Sequence, residues 1–295
     1  MLIESFLNYL RLERNYSERT IRSYGIDLKE FQTFFKEKSE ETDFVTLDSD
    51  LIRFWIVDMM DRGYTSTSVN RKLSALRSFY RFLLRNGTVE IDPTLKVTGP
   101  KNKKPLPVFI KEADMDKIIE RSNFKEGFEG CRDRLIIEMF YTTGIRLSEL
   151  IGLKDRDVDF YNSTLTVLGK RNKMRIIPFD IELNNDIKEY INVRDEYFTD
   201  RSKCSSLFVL KSGETLYPLK VYNLVKRSLA KFVSVKKKSP HVLRHTFATS
   251  MLNHDASLEA IKELLGHESL ETTQVYTHTT FEELKKVYEQ AHPRA

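Results

Sequence analysis

A proline- and lysine-rich segment interrupts the chain about a third of the way along it. Residues 92–109 read DPTLKVTGPKNKKPLPVF, with three prolines after Pro93, four lysines and few apolar residues. Proline cannot continue a helix, and this composition is typical of an extended connection between domains. A chain of 295 residues exceeds the roughly 250 residues at which one core usually stops growing. We therefore expect domains over 1–94 and 108–295, joined by a linker over 95–107.

The residues before this segment have the apolar spacing of helices, with apolar side chains recurring every three or four positions. The last of these helices is expected to run from about Ser66 to Asn86 and to stop at Gly87. Its apolar stripe comprises Val69, Leu73, Leu76, Tyr80 and Leu83. On another face, arginines recur every fourth residue at Arg77, Arg81 and Arg85. Such a column suits contact with DNA phosphates and equally suits a solvated face.

Past the linker, helical patterning resumes and is interrupted by a change of period. Residues 157–179 read DVDFYNSTLTVLGKRNKMRIIPF, in short alternating runs with turn residues at Asn162-Ser163 and at Gly169 to Lys173. This pattern predicts a small antiparallel sheet of about three strands within a helical domain. The expected fold class is therefore mainly α with a small antiparallel β-sheet.

Basic residues are concentrated in two tracts. Between Arg62 and Lys104 there are ten lysines or arginines against two acids, and between Thr215 and His254 there are eight and no acid. The tracts suggest a polyanion held between two surfaces, although two solvated basic faces explain the counts equally well. No run approaches the roughly 18 apolar residues of a membrane span, so we expect a cytoplasmic protein with no membrane partner. Two cysteines are too few for a disulfide framework or a thiolate metal cluster.

All six histidines lie from His241 onward, and the stretch SPHVLRHTFATS contains two of them. His241 and His245 have the spacing of a zinc pair, but Arg244 and the lysines 236–238 would repel a cation. With Ser239 as N-cap and Pro240 as first helical residue, His241 and Arg244 share one face at the start of a helix. Free backbone N–H groups and the helix dipole favour an anion there. The stretch therefore indicates phosphate binding rather than a metal site.

Four segments, TTGIRLSEL, LGKRNKMR, HVLRHTFATS and LLGHESLETTQVYTH, occur in this order. Together they resemble the boxes of the tyrosine recombinases, the phage integrase family. The resemblance extends to the architecture, in which an N-terminal four-helix DNA-binding domain, the SAM-like core-binding domain, is linked to a C-terminal catalytic domain. The ending AHPRA resembles that of the Xer recombinases, which resolve chromosome dimers in bacteria.

The resemblance implies the catalytic residues Arg146, Lys170, His241, Arg244, His267 and Tyr276. Glu149, one helical turn after Arg146, is expected to orient that arginine or a neighbouring imidazole, although a simple surface pair is the alternative. The arginine column and the basic linker supply the expected DNA-binding residues, Arg77, Arg81, Arg85, Lys101, Lys103 and Lys104. The family turn usually reads Gly-Lys-Gly, whereas Arg171 follows Lys170 here, so Lys173 is an alternative general acid. The resemblance implies no metal ion and no cofactor.

By the same resemblance, Arg146 and Arg244 hold the nonbridging oxygens of the scissile phosphate, and Tyr276 attacks it to form a 3′-phosphotyrosine bond. His241 would assist proton transfer from the tyrosine. Lys170 would protonate the leaving 5′-oxygen, and His267 would donate a hydrogen bond to the developing charge.

The partners implied are a double-stranded DNA recombination site and a tetramer formed with itself or with a related recombinase. The tetramer would act through a Holliday junction near the nucleoid, with a DNA translocase as a further candidate partner. The C-terminal segment FEELKKVYEQ would dock into a neighbouring subunit or pack on its own domain. Alternatives are a mobile-element integrase, a type IB topoisomerase-like enzyme and a non-catalytic DNA-binding protein.

Overall fold

In a computed structural model, the chain divides into two compact units, Met1–Pro105 and Leu106–Ala295. The structure describes residues 1–102, 108–169, 174–198, 205–234, 237–266 and 278–294, with the backbone alone for 278–282. Each unit has hydrophobic clusters of its own. Among the described residues, no helix is both long and apolar enough to cross a membrane.

The described part of the first unit contains four α-helices, as the apolar spacing predicted. They are α1 (Leu2–Leu12), α2 (Glu18–Lys38), α3 (Ser49–Asp61) and α4 (Ser66–Arg85). The hydroxyl of Thr65 caps α4 by accepting the backbone N–H of Ser68, and Gly87 has a φ of 66° just past its end. The predicted stripe of α4 is buried throughout, which confirms that this face forms the core of the unit.

The first part of the predicted linker packs against the first unit. Pro93–Lys96 form a 3-10 turn that contacts α3 and α4, and Val97 is buried. The amide of Asn70 donates to the carbonyl of Pro100 over 2.7 Å. The remaining linker residues, 103–107, lie outside the described part of the chain, and the bounds of the linker stay a prediction.

Part of the first basic tract serves the interior of its own unit. Lys72 is 5% exposed, and its ammonium contacts the carboxylates of Asp27 and Glu30. Arg71 forms a second ion pair with Asp27. Because a buried cation needs a partner, the sequence pairs these charges internally, so the count of basic residues overstates the charge offered to a polyanion.

The described part of the second unit contains eight α-helices and a three-stranded antiparallel sheet in the order β1-β2-β3. The helices are α5 (Glu112–Ile119), α6 (Phe128–Thr143), α7 (Leu147–Gly152), α8 (Ile181–Tyr197), α9 (Pro218–Ala230), α10 (Pro240–Asn253), α11 (Leu258–Leu265) and α12 (His278–Ala291). The strands are β1 (Val158–Asp159), β2 (Thr164–Leu168) and β3 (Met174–Pro178). Leu168 pairs with Met174, so residues 169–173 connect β2 to β3. This architecture confirms a mainly α fold with a small antiparallel sheet.

Helix α6 lies at the centre of the second unit. Almost all of its residues from Arg132 to Thr143 are buried, and it packs against α8 and α10. A helix that is buried on every side has no solvent stripe, which explains its weak amphipathic pattern. Its C-terminal end therefore holds the following residues, Gly144 to Arg146, at a fixed place inside the unit.

The C-terminal helix α12 packs on its own unit in this single chain. Leu284 and Tyr288 are buried in a cluster with residues of α10 and α11, such as Phe247 and Leu264. Beyond α12, His292 stacks on Tyr288, with ring centroids 5.1 Å apart. The docking of this helix into a neighbouring subunit stays a prediction.

Candidate active site

A left-handed turn at Gly144 sets the position of Arg146. Gly144 ends α6 with a φ of 58° and a ψ of 21°, a conformation that side chains other than glycine adopt at a cost. A Cβ added there would lie 2.6 Å from Cδ1 of Phe247 and 2.8 Å from Cδ2 of Leu265. Arg146 follows as the N-cap of α7. The Thr-Gly-Ile-Arg segment thus needs glycine for both its backbone and its packing.

Glu149 lies between two arginines. Its Oε1 accepts from Nη1 of Arg146 over 2.8 Å, and its Oε2 accepts the backbone N–H of Arg146 over 2.8 Å. Arg175 donates to both oxygens, from Nη1 over 2.7 Å and from Nη2 over 2.8 Å. Glu149 thus contacts Arg146 directly, and its carboxylate bridges α7 and β3. Its supporting role in the reaction stays a prediction.

A third guanidinium, that of Arg244, is 6% exposed and belongs to α10. Its Nη1 donates to the carbonyl of Gly144, and its Nη2 donates to the carbonyl of Leu265 over 2.6 Å. A guanidinium has five N–H donors, so these two contacts leave donors for another acceptor. The turn at Gly144 therefore serves both arginines of the predicted phosphate site.

The three arginines meet the last carbonyls of α11. Nε of Arg175 donates to Leu264 over 3.1 Å, and Nη2 of Arg146 donates to Gly266 over 2.7 Å. With Arg244 on Leu265, three successive carbonyls each accept from a different arginine. The last carbonyls of a helix lack partners within the helix and carry its negative dipole end, which favours cations. The end of α11, directly before His267, is thereby held against the arginine cluster.

The electrostatics of the cluster favour a bound anion. Burial alone would raise the pKa of Glu149, but the hydrogen bonds and charges of Arg175 and Arg146 outweigh it and lower that pKa to about 2. Burial, together with the neighbouring charges of Arg146 and Arg175, lowers the pKa of Arg244 to about 9. At neutral pH, three guanidinium cations and one carboxylate give the cluster a net charge of two positive units in a partly buried site.

The structure brings Arg146, Glu149 and Arg244, three of the predicted site residues, together. Their role in binding a phosphate stays a prediction. His241 lies at the start of α10 with its side chain exposed. Thr246 of the same helix is buried and accepts the backbone N–H of Ile110, in keeping with a packing role. Several predicted residues lie outside the described part of the chain, namely Lys103, Lys104, Lys170, Lys173, His267 and Tyr276.

The predicted DNA-binding arginines of α4 all have partners within the first unit. Arg77 donates to the carbonyl of Val97 over 2.7 Å, and Arg81 to that of Arg77 over 3.3 Å. Arg85 donates to the hydroxyl of Tyr9 and lies over its ring. Arg81, Arg85 and Lys101 remain exposed. Contact of these side chains with DNA stays a prediction.

Arg175 is the residue of the site that sequence reasoning missed. It alternates with Ile177 on the buried side of β3, where Met174 and Ile176 face outward. Because side chains alternate between the two faces of a strand, an arginine in phase with a buried isoleucine must point inward and needs an anionic partner. That alternation is the signal by which Arg175 could have been found.

Both units match models of known protein families. The phage integrase family matches residues 109–283, and the phage integrase N-terminal SAM-like domain matches residues 3–87. The tyrosine recombinase XerC of Chlorobaculum parvum is 37% identical over 99% of this chain and 94% of its own length. XerC of Staphylococcus aureus is 37% identical over 99% of this chain and 96% of its own length.

Solved structures share the fold. The Tn1549 transposon integrase, solved in complex with circular intermediate DNA, superposes with a TM-score of 0.71 at 18% identity, over 96% of this chain and 98% of that one. The XerH site-specific recombinase, bound to its difH substrate before cleavage, gives a TM-score of 0.70 at 21% identity, over 95% of this chain and 83% of that one.

Proposed function

Because the chain belongs to the phage integrase family of tyrosine recombinases, we propose that its arginine cluster holds the scissile phosphate of a DNA recombination site in Xer-type strand exchange. The two XerC relatives, at 37% identity over nearly the full length, support the Xer-type role. A housekeeping role in separating joined chromosomes or plasmids follows from that likeness. Its DNA substrate would make the protein a cytoplasmic one that associates with the nucleoid.

The observation that carries the proposal is the net charge of the cluster. Two positive charges remain after Glu149 is counted against Arg146, Arg175 and Arg244. The negative charge that spreads over the nonbridging oxygens of a phosphate under attack is stabilised by fixed cationic donors. Arginine forks suit the two nonbridging oxygens because they donate in parallel pairs. The site thus offers Arg146 and Arg244 for one phosphodiester.

The remaining roles follow from the resemblance of this sequence to the family. Tyr276 attacks the phosphorus through its phenolic oxygen, the bond to the 5′-oxygen breaks, and a 3′-phosphotyrosine bond forms. His241 accepts the phenolic proton, and Lys170 gives a proton to the departing 5′-oxygen. His267 donates a hydrogen bond to a nonbridging oxygen. The free 5′-hydroxyl of a second strand then reverses these steps, so the energy of the phosphodiester is kept.

Strand exchange requires four such sites on two duplexes, because each site cuts one strand. We therefore place this chain in a tetramer on DNA, formed with itself or with a related recombinase. The helix α12 is the element proposed to pass between subunits.

The test uses DNA that the protein itself selects. The Tyr276→Phe variant, which keeps the arginines and lacks the nucleophile, enriches binding duplexes from a pool of random 40-base-pair cores. Selected duplexes are nicked beside candidate cleavage positions so that the short fragment leaves after cleavage. They are incubated in EDTA with the wild type and with Tyr276→Phe, and adducts that survive SDS are resolved on a gel.

We expect an adduct from the wild type and none from the phenylalanine variant, with the DNA joined to Tyr276 in the peptide map. An adduct from Tyr276→Phe would show that another side chain is the nucleophile. Selected duplexes that are bound and never cleaved by the wild type would contradict the enzyme and favour a DNA-binding protein. Relaxation of plasmids that lack the selected site would favour the topoisomerase-like alternative.

A further inference from the structure

Arg175 contacts two segments of the active site, Glu149 of α7 and the end of α11. It belongs to β3 and directly follows Met174, which pairs with Leu168 of β2. Its guanidinium binds Glu149, which holds Arg146, and its Nε binds the carbonyl of Leu264 at the end of α11. The side chain is 6% exposed, so a bound DNA could reach it only at its edge.

The pairing of Arg175 with both oxygens of Glu149 limits what Arg146 can give to the same carboxylate. Arg146 contributes one guanidinium donor, Nη1, and its backbone N–H to Glu149. Without Arg175, Arg146 would be the only guanidinium of the described residues left on Glu149, and it would neutralise that carboxylate by itself. The net charge of the cluster would fall from two to one, and Arg146 would be drawn away from a phosphate.

Arg175 also packs against the end of α11, which precedes His267 and Tyr276 in the sequence. A Cβ added at Gly266 would lie 3.0 Å from Cδ of Arg175, so the end of α11 passes directly against this side chain. The φ of Gly266 is 62°, which ends the helix at that point. The C-terminal end of α11 is therefore packed against Arg175.

We propose that Arg175 is a positioning residue of the recombinase: it engages Glu149 so that Arg146 stays available to the scissile phosphate, and it anchors the end of α11 that precedes the nucleophile segment. This inference rests on the proposed function. Arg175 does not itself touch the reacting atoms. It holds in place the groups that do.

The test separates cleavage from binding on the selected nicked duplex. Affinity is measured by titration, and the single-turnover rate of adduct formation is measured with protein in saturating excess. For Arg175→Gln we expect affinity within about threefold of the wild type and a cleavage rate about 100-fold lower, the size of loss that misplacement of a reacting group by about 1 Å produces. Arg175→Lys keeps the positive charge but lacks the paired N–H donors of the guanidinium, so it should recover part of the cleavage rate.

Arg194 supplies a matched control. It is fully buried in the same unit, binds both oxygens of Asp155 over 2.8 and 2.9 Å, and donates to the carbonyl of Leu207. Arg194→Gln thus removes a buried arginine fork and a carbonyl contact without touching the arginine cluster. We expect it to lower the melting temperature and to leave the cleavage rate of the folded protein near that of the wild type.

A double-mutant cycle tests the route through Glu149. If Arg175 acts through that carboxylate, Glu149→Gln should change the rate far less in the Arg175→Gln background than in the wild type. An Arg175→Gln rate equal to that of Arg194→Gln would overturn the inference, as would additive losses in the cycle. If Arg175→Gln does not fold, the cleavage rate of Arg175→Lys is measured instead, and a rate equal to that of the wild type would overturn the inference. Absence of any wild-type adduct would overturn the proposed function and this inference with it.

Discussion

At the scale of single residues, the site depends on one carboxylate whose ionisation the fold enforces. The pKa of Glu149 falls from 4.5 to about 2 in the folded chain. A lowered carboxyl pKa stabilises the folded state at pH values above the unfolded pKa, and that contribution is lost as the pH falls through the folded pKa. Ionised Glu149 therefore contributes on the order of 3 kcal/mol near neutral pH.

The lowered pKa of Glu149 sets the expected pH dependence of stability. Glu149→Gln should lower the free energy of unfolding near pH 7, and the gap between wild type and variant should narrow as the pH falls from about 4.5 towards 2. Urea unfolding at a series of pH values measures the gap. A gap that stays constant over that range would mean that Glu149 is not held ionised by its arginines.

Gly144 is a second residue whose replacement has a predictable cost. An alanine at this position must adopt a positive φ, which lowers the stability of the fold by about 1–2 kcal/mol. Its Cβ would also overlap Phe247 and Leu265, which lowers the stability by about a further 1–3 kcal/mol. Gly87→Ala is the control, since its φ is 66° and nothing lies within 4 Å of an added Cβ. Gly144→Ala should destabilise the chain more in thermal unfolding and also slow cleavage, because its carbonyl accepts from Arg244. Equal losses of stability would contradict the packing argument.

At the scale of helices and strands, much of this fold could be predicted from the sequence. The stripe of α4 and the strand turns at Ser163 and after Leu168 follow from local spacing. The sequence pattern did not predict helices α8 and α9. It also missed Arg175, although the alternation of buried and exposed residues in β3 places this side chain on the buried face. The carbonyls of Leu264 to Gly266 could not be predicted as acceptors, because every residue has a carbonyl and only the tertiary fold selects these three.

Helix α12 is the element whose attachment can be measured. Tyr288 is 1% exposed and packs in the cluster beneath the helix. Tyr288→Ala should weaken docking by about 3–5 kcal/mol, and amides of α12 should then exchange hydrogen much faster while those of α6 do not. Glu289→Ala, on the exposed side of the same helix, should leave the exchange unchanged. Unaltered protection of α12 in Tyr288→Ala would mean that other contacts hold the helix.

At the scale of the whole molecule, the two units carry separate cores. The cluster of the first unit consists of residues up to Val97 and includes none from the second unit. A fragment of residues 1–102 should therefore unfold cooperatively on its own, keep a helical circular dichroism spectrum and bind DNA without forming an adduct. A fragment without a cooperative transition would show that the first unit needs the second to fold.

The arginine cluster is proposed to neutralise the negative charge of the scissile phosphate, and a substrate without that charge tests this role. Once the cleavage position is known, its phosphate is replaced by a methylphosphonate, which lacks the negative charge. Single-turnover cleavage by the wild type and by Arg146→Ala is then compared on both duplexes. We expect Arg146→Ala to lose about 100- to 1,000-fold on the phosphate and far less on the methylphosphonate. Equal losses on the two duplexes would contradict this role, because Arg146 would then act on something other than the charge of that phosphate.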